Sequence, residues 1–331
     1  MMDYSYYFIE EVEDVASLQY DIFISVYDEC DRTKETFNKV CSRKKYWLVI
    51  PQYNQSEGER PDTYLSSSFL DESDFIMEVV EKIEIEEGKR ICIDSTGFII
   101  PHLLYLIQYL KRKGITAFDI LYSEPRQYEK GEATEFTKRV GHTRPIVGYS
   151  AISKDVEGED TLIIFVGFND EMVSNVAREK SKSKHKYLFT GFPSLQADMY
   201  QQNLIQLNKS VETIGESHVH YCKAPAYDPF VTAKKLQDII DIRLRKHDLV
   251  NYIHIAPLST KPMAIAAAIV YLNNPDAPID IIYPSAEEYK SHHSIGIKRT
   301  WKYTLEFWWL VAILIIRTKR ACKIVIIIRP S

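Results

Sequence analysis

The chain lacks several features that mark common classes of protein. Its five cysteines are scattered, odd in number and form no Cys-x-x-Cys pair, so the sequence predicts neither a disulfide framework nor a metal site. It also lacks a basic excess, because the formal net charge is −5, and wholesale binding to a nucleic-acid backbone needs a concentrated basic face. The N-terminus has no basic start followed by a long apolar core. We therefore predict a cytoplasmic protein in a reducing compartment.

The glycine motifs that hold phosphates in common nucleotide enzymes are missing too. No Gly-x-Gly-x-x-Gly follows a predicted strand, and no Gly-x-x-x-x-Gly-Lys-Ser/Thr occurs. The sequence therefore argues against standard dinucleotide oxidoreductases and P-loop NTPases, and no cofactor is predicted.

Apolar runs that alternate with helix-like segments are the main positive signal. At least six such runs are present, at residues 20–27, 46–50, 117–122, 161–170, 252–256 and 279–283. This alternation predicts an α/β fold with a doubly wound, mostly parallel, Rossmann-like sheet and an N-terminal β-α-β extension. We predict an N-terminal subdomain over 1–87, a ligand-binding domain over 88–306 and an apolar C-terminal tail over 307–331. Residues 129–159 are rich in charge and glycine and are interpreted as the long connection between the two halves of the chain.

The most informative stretch, residues 252–272, combines a buried strand, a polar loop and a small-residue helix. Ser259, Thr260 and Lys261 lie between strand and helix, and Pro262 suits the first helical turn. The first turn of a helix has unpaired backbone N–H groups and attracts negative charge. The two hydroxyls and the ammonium group therefore form a candidate phosphate site, with an ordinary helix cap as the alternative.

A second stretch, residues 90–110, repeats this architecture. Asp94 ends the strand, Ser95 and Thr96 supply hydroxyls, and Gly97 permits a tight turn before an apolar helix. In open α/β sheets, ligands collect outside the carboxyl ends of the strands. We therefore expect the two loops to line one crevice, although Asp94 is equally suited to capping its own loop.

Two further strand ends carry candidate ligand-binding residues. Glu124 follows the strand at 117–122, and its carboxylate suits a ligand hydroxyl or a surface ion pair with Arg126. Gly167 ends the strand at 161–167, where the missing side chain allows close backbone approach.

Two of these loops resemble those of a known family. Thr260-Lys-Pro-Met-Ala264 with its alanine-rich helix resembles the Gly-Gly-Thr-Lys-Pro-Met-Ala-type loop of CRISPR-associated Rossmann-fold (CARF) sensor domains, and Asp94-Ser-Thr-Gly97 is similar to the loop after their first strand. The resemblance implies a homodimer that binds a cyclic oligonucleotide between subunits in bacterial antiviral defence. It also implies that Thr260 and Lys261 contact phosphate, that Ser95 and Thr96 contact phosphate or ribose, and that a separate effector protein supplies the output. Leu258 and Ser259 stand where the family has two glycines.

Two other functions fit the same residues. A nucleotide-processing hydrolase or transferase would use strand-end carboxylates such as Asp94, Glu124 or Asp170, so catalysis is left open. A scaffold subunit of a defence complex would dock a partner through its apolar tail. The tail's apolar run at 308–316 is interrupted by Arg317, Lys319 and Arg320, so no transmembrane span is predicted.

Overall fold

The alternating apolar and amphipathic segments form two consecutive series of strands and helices. The computed structural model describes residues 8–128, 137–151, 158–196, 198–215, 218–245, 250–289, 294–307, 310–318 and 321–329. The first series comprises β1 (Phe8–Val12), β2 (Gln19–Val26), α1 (Asp31–Lys39), β3 (Cys41–Val49), β4 (Leu65–Ser66), α2 (Glu72–Val80), β5 (Ile91–Asp94), α3 (Ile100–Arg112), β6 (Ala117–Tyr128) and β7 (Thr137–Pro145).

The second series follows after residue 158. It comprises β8 (Glu159–Phe165), α4 (Asp170–Glu179), β9 (His185–Gly191), α5 (Met199–Ile214), β10 (Val219–Ala224), α6 (Pro229–Arg245), β11 (Val250–Pro257), α7 (Lys261–Asn273), β12 (Ile279–Tyr289) and β13 (Ser294–Glu306). We call β2–β6 with α1–α3 the first half, and β8–β12 with α4–α7 the second half. A separate antiparallel pair, β14 (Leu310–Thr318) and β15 (Ala321–Arg329), ends the described chain.

The two halves share one strand order. The first sheet runs β1-β13-β6-β5-β2-β3-β4 and the second runs β10-β9-β8-β11-β12-β7. In each half the first strand is central, the next two strands lie on one side, the last two lie on the other, and all five are parallel. The chain therefore contains an internal structural duplication, in which the second half repeats the strand order of the first.

The halves exchange one strand each. β7 follows β6 along the chain but pairs antiparallel with β12, the last strand of the second half. Conversely, β13 follows β12 and pairs antiparallel with β6, with Trp301 opposite Tyr122. Each half therefore completes the sheet of the other.

Helices α3 and α7 occupy equivalent positions and pack against each other between the halves. Both have 13 residues and a proline at the second position, Pro101 and Pro262. Ala266, Ala267 and Ala268 of α7 are fully buried, and their small side chains let the helix lie close to its neighbours. Burying a large aliphatic side chain stabilises the fold by roughly 1.5–3 kcal/mol, so this shared core joins the halves firmly.

The sequence-based expectations for the fold are largely met. The mostly parallel α/β architecture is confirmed, but the strands form two large sheets, and both include antiparallel pairs. The proposed boundary at residue 87 falls between α2 and β5, which contribute to the same half. The connection predicted over 129–159 contains β7, because a strand that pairs across the halves has no local hydrophobic signature.

Candidate functional site

The loops that follow the parallel strands at their carboxyl ends carry most of the predicted site residues. Asp94 ends β5 and is completely buried. Its carboxylate accepts hydrogen bonds from Ser25 Oγ at 2.9 Å and from the Thr96 backbone N–H at 3.1 Å. Burial, partly offset by these bonds, raises the pKa of Asp94 to about 6. The predicted capping of its own loop by Asp94 is thus present.

The neighbouring hydroxyls hold this loop to β6. Ser95 Oγ donates to the Leu121 carbonyl oxygen at 2.7 Å. Thr96 Oγ1 accepts a hydrogen bond from the Ser123 backbone N–H at 3.0 Å. Both side chains are buried, so in this conformation the two hydroxyls serve the fold of the loop.

Gly97 and Gly167 each allow one loop to pass close to another. A Cβ on Gly97 would lie 2.5 Å from the Val26 carbonyl oxygen, and one on Gly167 would lie 1.9 Å from the Leu258 carbonyl oxygen. Each distance is far below van der Waals contact, so neither glycine can carry a side chain without a backbone shift. In each half, a glycine therefore allows the loop after the first strand to lie close to the loop after the fourth strand.

The loop before α7 has the geometry of a helix cap. Thr260 Oγ1 accepts from the Met263 backbone N–H at 3.4 Å and donates to the Ala226 carbonyl oxygen at 2.6 Å. Ser259 and Lys261 are partly exposed beside it. The cap thus uses the Thr260 side chain and leaves Lys261 as the first helical residue.

Lys261 of the second half lies near Arg32 and Asp28 of the first half. Burial, together with the smaller effect of the positive charge of Arg32, lowers the pKa of Lys261 to about 8, and the carboxylate of Asp28 partly opposes this. Within the described ranges, no hydrogen bond or ion pair is formed by the Lys261 ammonium group. We call Arg32 and Lys261 the cation pair.

Arg32 is held in place by the exchanged strand and by β6. Its Nε donates to Ser294 Oγ at 2.9 Å and its guanidinium donates to the Ser123 carbonyl oxygen at 2.5 Å. Asp28 is buried and accepts from Thr33 Oγ1 at 2.6 Å. The guanidinium therefore has a fixed position beside the loop that contains Thr96.

Tyr53 of the first half lies near Arg32, and Tyr283 of the second half lies near Tyr53. Tyr53, which follows β3, donates from its hydroxyl to the Gly97 carbonyl oxygen at 2.8 Å. Burial raises the pKa of Tyr53, and its electrostatic neighbours include Asp28, Arg32 and Tyr283 of β12. The junction of the halves thus combines two cations, one carboxylate and phenol groups.

Glu124 is buried on a different face of the first sheet. Its Oε1 accepts from Trp301 Nε1 at 2.6 Å, and its Oε2 is buried with no hydrogen-bond partner among the described residues. Burial raises the pKa of Glu124. Because successive strand residues point to opposite faces, this carboxylate lies on the sheet face opposite the Ser123 hydroxyl, which contacts Thr36 of α1.

The structure brings Asp94, Ser95, Thr96 and Gly97 together as one loop, and Gly167 together with Ser259, Thr260 and Lys261. Sequence reasoning missed Asp28, Arg32, Tyr53 and Tyr283. The available signal was position, since Asp28 and Arg32 follow β2 directly and Tyr53 follows β3. These are the same strand ends at which the other candidates were found.

Other features of the described residues concern metal binding, a further cavity and the membrane. No group of three or more His, Cys, Asp or Glu side chains there is arranged to hold a metal ion. A cavity of about 710 Å³ lies at the amino ends of β2, β5 and β6, which is the edge opposite the usual ligand crevice. None of the helices in these ranges combines the length and the apolar character needed to cross a bilayer.

A scan against models of known protein families finds no match to this chain. No curated protein matches the sequence either.

Proposed function

We propose that the chain is a sensor that binds a phosphate-bearing nucleotide where its two halves meet. The observation that carries this proposal is the cation pair. Lys261 and Arg32 come from different halves, lie close enough to disfavour each other's charge, and Lys261 has no ionic partner among the described residues. Two like charges held together are unfavourable, and Asp28 offsets the effect of Arg32 on Lys261 only in part, so a bound anion would stabilise the pair.

The surroundings of the cation pair suit a bound phosphate group. Lys261 is the first residue of α7, whose N-terminal backbone N–H groups attract anions. Arg32 offers a planar guanidinium that is fixed by β6 and β13. Tyr53 is partly exposed and offers an aromatic ring on which a base can stack.

The finer features of this proposal come from the resemblance stated above. They are a doubly wound, Rossmann-like fold in each half, a CARF-like sensor role in bacterial antiviral defence, a cyclic oligonucleotide as one ligand class, a homodimeric assembly and a separate effector protein. Thr260 fits such a role through its position at the start of α7, beside Lys261.

A thermal-shift screen of the purified chain tests the proposal. Linear nucleotides, cyclic oligonucleotides and inorganic phosphate would be added in turn, because a ligand that binds the folded state raises Tm. We expect a nucleotide to raise Tm, and Lys261→Ala to weaken its binding by about 10- to 100-fold, the loss for a charged hydrogen bond. Lys82→Ala is the matched control, since Lys82 forms an exposed pair with Glu78. No Tm shift with any nucleotide would contradict the proposal.

A nucleotide-processing enzyme is the second candidate function. It is favoured by Asp94, a buried carboxylate whose pKa of about 6 suits proton transfer near neutral pH. Both carboxylate oxygens are already hydrogen-bonded, to Ser25 and Thr96. Incubation with each bound nucleotide, followed by chromatography, separates the candidates: turnover that Asp94→Asn abolishes favours the enzyme, and unchanged nucleotide favours the sensor.

A further inference from the structure

The connection between β3 and β4 encloses a cavity of about 480 Å³ at the carboxyl ends of these two strands. In the second half, helix α5 links the corresponding strands β9 and β10. In the first half, residues 50–64, all of which the structure describes, form only two short 3₁₀ turns, Pro51–Tyr53 and Glu57–Glu59. Ordered connections of this length without a longer helix or strand are usually functional.

The position and size of this cavity suit a small ligand. The carboxyl edge of an open parallel sheet is where ligands usually bind, and the volume lies in the range of small-molecule pockets. Every lining residue lies between Val49 and Glu78 in the first half. The cavity therefore shares no lining residue with the cation pair.

Gln55 presents a buried hydrogen-bond acceptor at the cavity that no described residue satisfies. Only 6% of this residue is exposed, and its Nε2 donates to the Tyr27 carbonyl oxygen at 3.1 Å. Its Oε1 is buried without a hydrogen-bond partner among the described residues. Because an unpaired buried acceptor is unfavourable, a ligand that donates an O–H or N–H group here would be stabilised.

Arg60 supplies a positive charge that has no carboxylate partner among the described residues. Its Nε and Nη2 donate to the Gln55 carbonyl oxygen at 3.2 and 2.9 Å, and its Nη1 donates to the Tyr64 hydroxyl at 3.4 Å. These three bonds leave two of the five N–H donors of a guanidinium free. The partly exposed guanidinium is thus held in place and can still bind an anionic group.

The one carboxylate among the lining residues, Glu78, is already paired. Its Oε1 lies 3.0 Å from Lys82 Nζ, and its Oε2 accepts a hydrogen bond from Ser67 Oγ. Ser68 also lines the cavity, is exposed, and forms no side-chain hydrogen bond among the described residues. The cavity therefore offers an unpaired cation, a free hydroxyl and a free acceptor.

We propose that this cavity binds a phosphorylated monosaccharide, with its phosphate at Arg60 and Ser68 and a sugar hydroxyl that donates to Gln55 Oε1. A phosphate accepts charge-assisted hydrogen bonds from a guanidinium. No aromatic side chain is among the described residues that line the cavity, so a sugar suits it better than a nucleobase, which binds by stacking. This site is additional to the proposed nucleotide site and does not depend on it.

Isothermal titration calorimetry with the full chain tests this inference. The probes are ribose 5-phosphate, glucose 1-phosphate, glucose 6-phosphate and fructose 6-phosphate, compared with inorganic phosphate and glucose. We expect one sugar phosphate per chain, bound at least about tenfold more tightly than either inorganic phosphate or glucose, because only the sugar phosphate engages both Arg60 and Gln55. If no sugar phosphate binds more tightly than these two, the inference is wrong.

Variants of the two polar groups locate the ligand. Arg60→Met should weaken sugar phosphate binding by about tenfold or more, and Gln55→Met by about three- to tenfold. Gln52→Met is the matched control, expected to change the affinity by less than about twofold. Gln52 also donates from Nε2 to a backbone carbonyl oxygen and also has an unpartnered Oε1 among the described residues, but it does not line the cavity. Equal losses in Gln52→Met and Gln55→Met would overturn the inference.

Ser68→Asp gives a test that does not depend on folding, because Ser68 is exposed. A carboxylate at this position would repel the phosphate, so we expect binding to weaken by about tenfold or more. Urea midpoints of all variants verify that they remain folded. Unchanged affinity in Ser68→Asp, or a tenfold loss in Lys261→Ala, would place the ligand outside this cavity and overturn the inference.

Discussion

Lys261 gives the sharpest test, because the side chain proposed to bind the ligand should also destabilise the free protein. In the folded state its pKa is about 8, compared with the ordinary 10.5. At about 1.36 kcal/mol for each tenfold change in the proton equilibrium, this difference corresponds to at most about 3 kcal/mol against the charged form. Because Lys261 is partly exposed, we expect Lys261→Met to raise the free energy of unfolding at pH 7 by about 1–3 kcal/mol.

The pH dependence separates charge from packing. A lysine with a lowered folded-state pKa binds fewer protons in the native than in the unfolded state between pH 8 and 10.5, so wild-type stability rises through that window. The advantage of Lys261→Met should therefore be largest below pH 8 and disappear above pH 10.5. Urea denaturation of both proteins across this range, with the exposed Lys82→Met as control, measures it. Equal or lower stability of Lys261→Met at pH 7, or an advantage that persists above pH 10.5, would refute the electrostatic reasoning.

Two further predictions concern folding. His102 is buried, has no hydrogen-bond partner for either ring nitrogen among the described residues, and has a pKa that burial lowers from 6.5 to about 4. Protonation therefore destabilises the native state as pH falls from 6.5 to 4, by about 3 kcal/mol; His102→Leu should remove this loss in acid denaturation, and an unchanged acid profile would count against it. Gly167→Ala should lower the free energy of unfolding by more than about 2 kcal/mol, since its Cβ would meet the Leu258 carbonyl oxygen. Gly58→Ala, which has nothing within 4 Å of its Cβ, should be nearly neutral, and equal urea midpoints for the two variants would contradict the close approach.

Local features of the fold were predictable from the sequence. The strand expected at 20–27 is β2, and the helix expected after Pro262 is α7, because a buried parallel strand is almost continuously apolar and because Thr260 and Pro262 define a helix start. The similarity between the loops at Asp94 and Ser259 was also visible in the sequence. The structure gives its reason, because each loop comes after the fourth strand of its half.

The long-range features were not predictable in this way. Whether a strand such as β7 pairs with β6 or with β12 depends on the packing of the halves and not on its own residues. The same holds for Arg32, which reaches Lys261 only once the two halves have docked. The inward direction of the Ser95 and Thr96 hydroxyls likewise depends on the end of β6. Partners so distant in sequence leave no local pattern.

The strand exchange also determines the order in which the chain can fold during synthesis. The edge of the first sheet is β6 until β13 covers it, and β13 ends at Glu306 of a 331-residue chain. The first half is made early but exposes an unpaired strand edge until Ser294–Glu306 has been translated. Such an edge is a template for pairing with other chains. Nascent chains that stall before β13 should therefore aggregate through β6, and the pairing of β13 with β6 closes this edge of the first sheet.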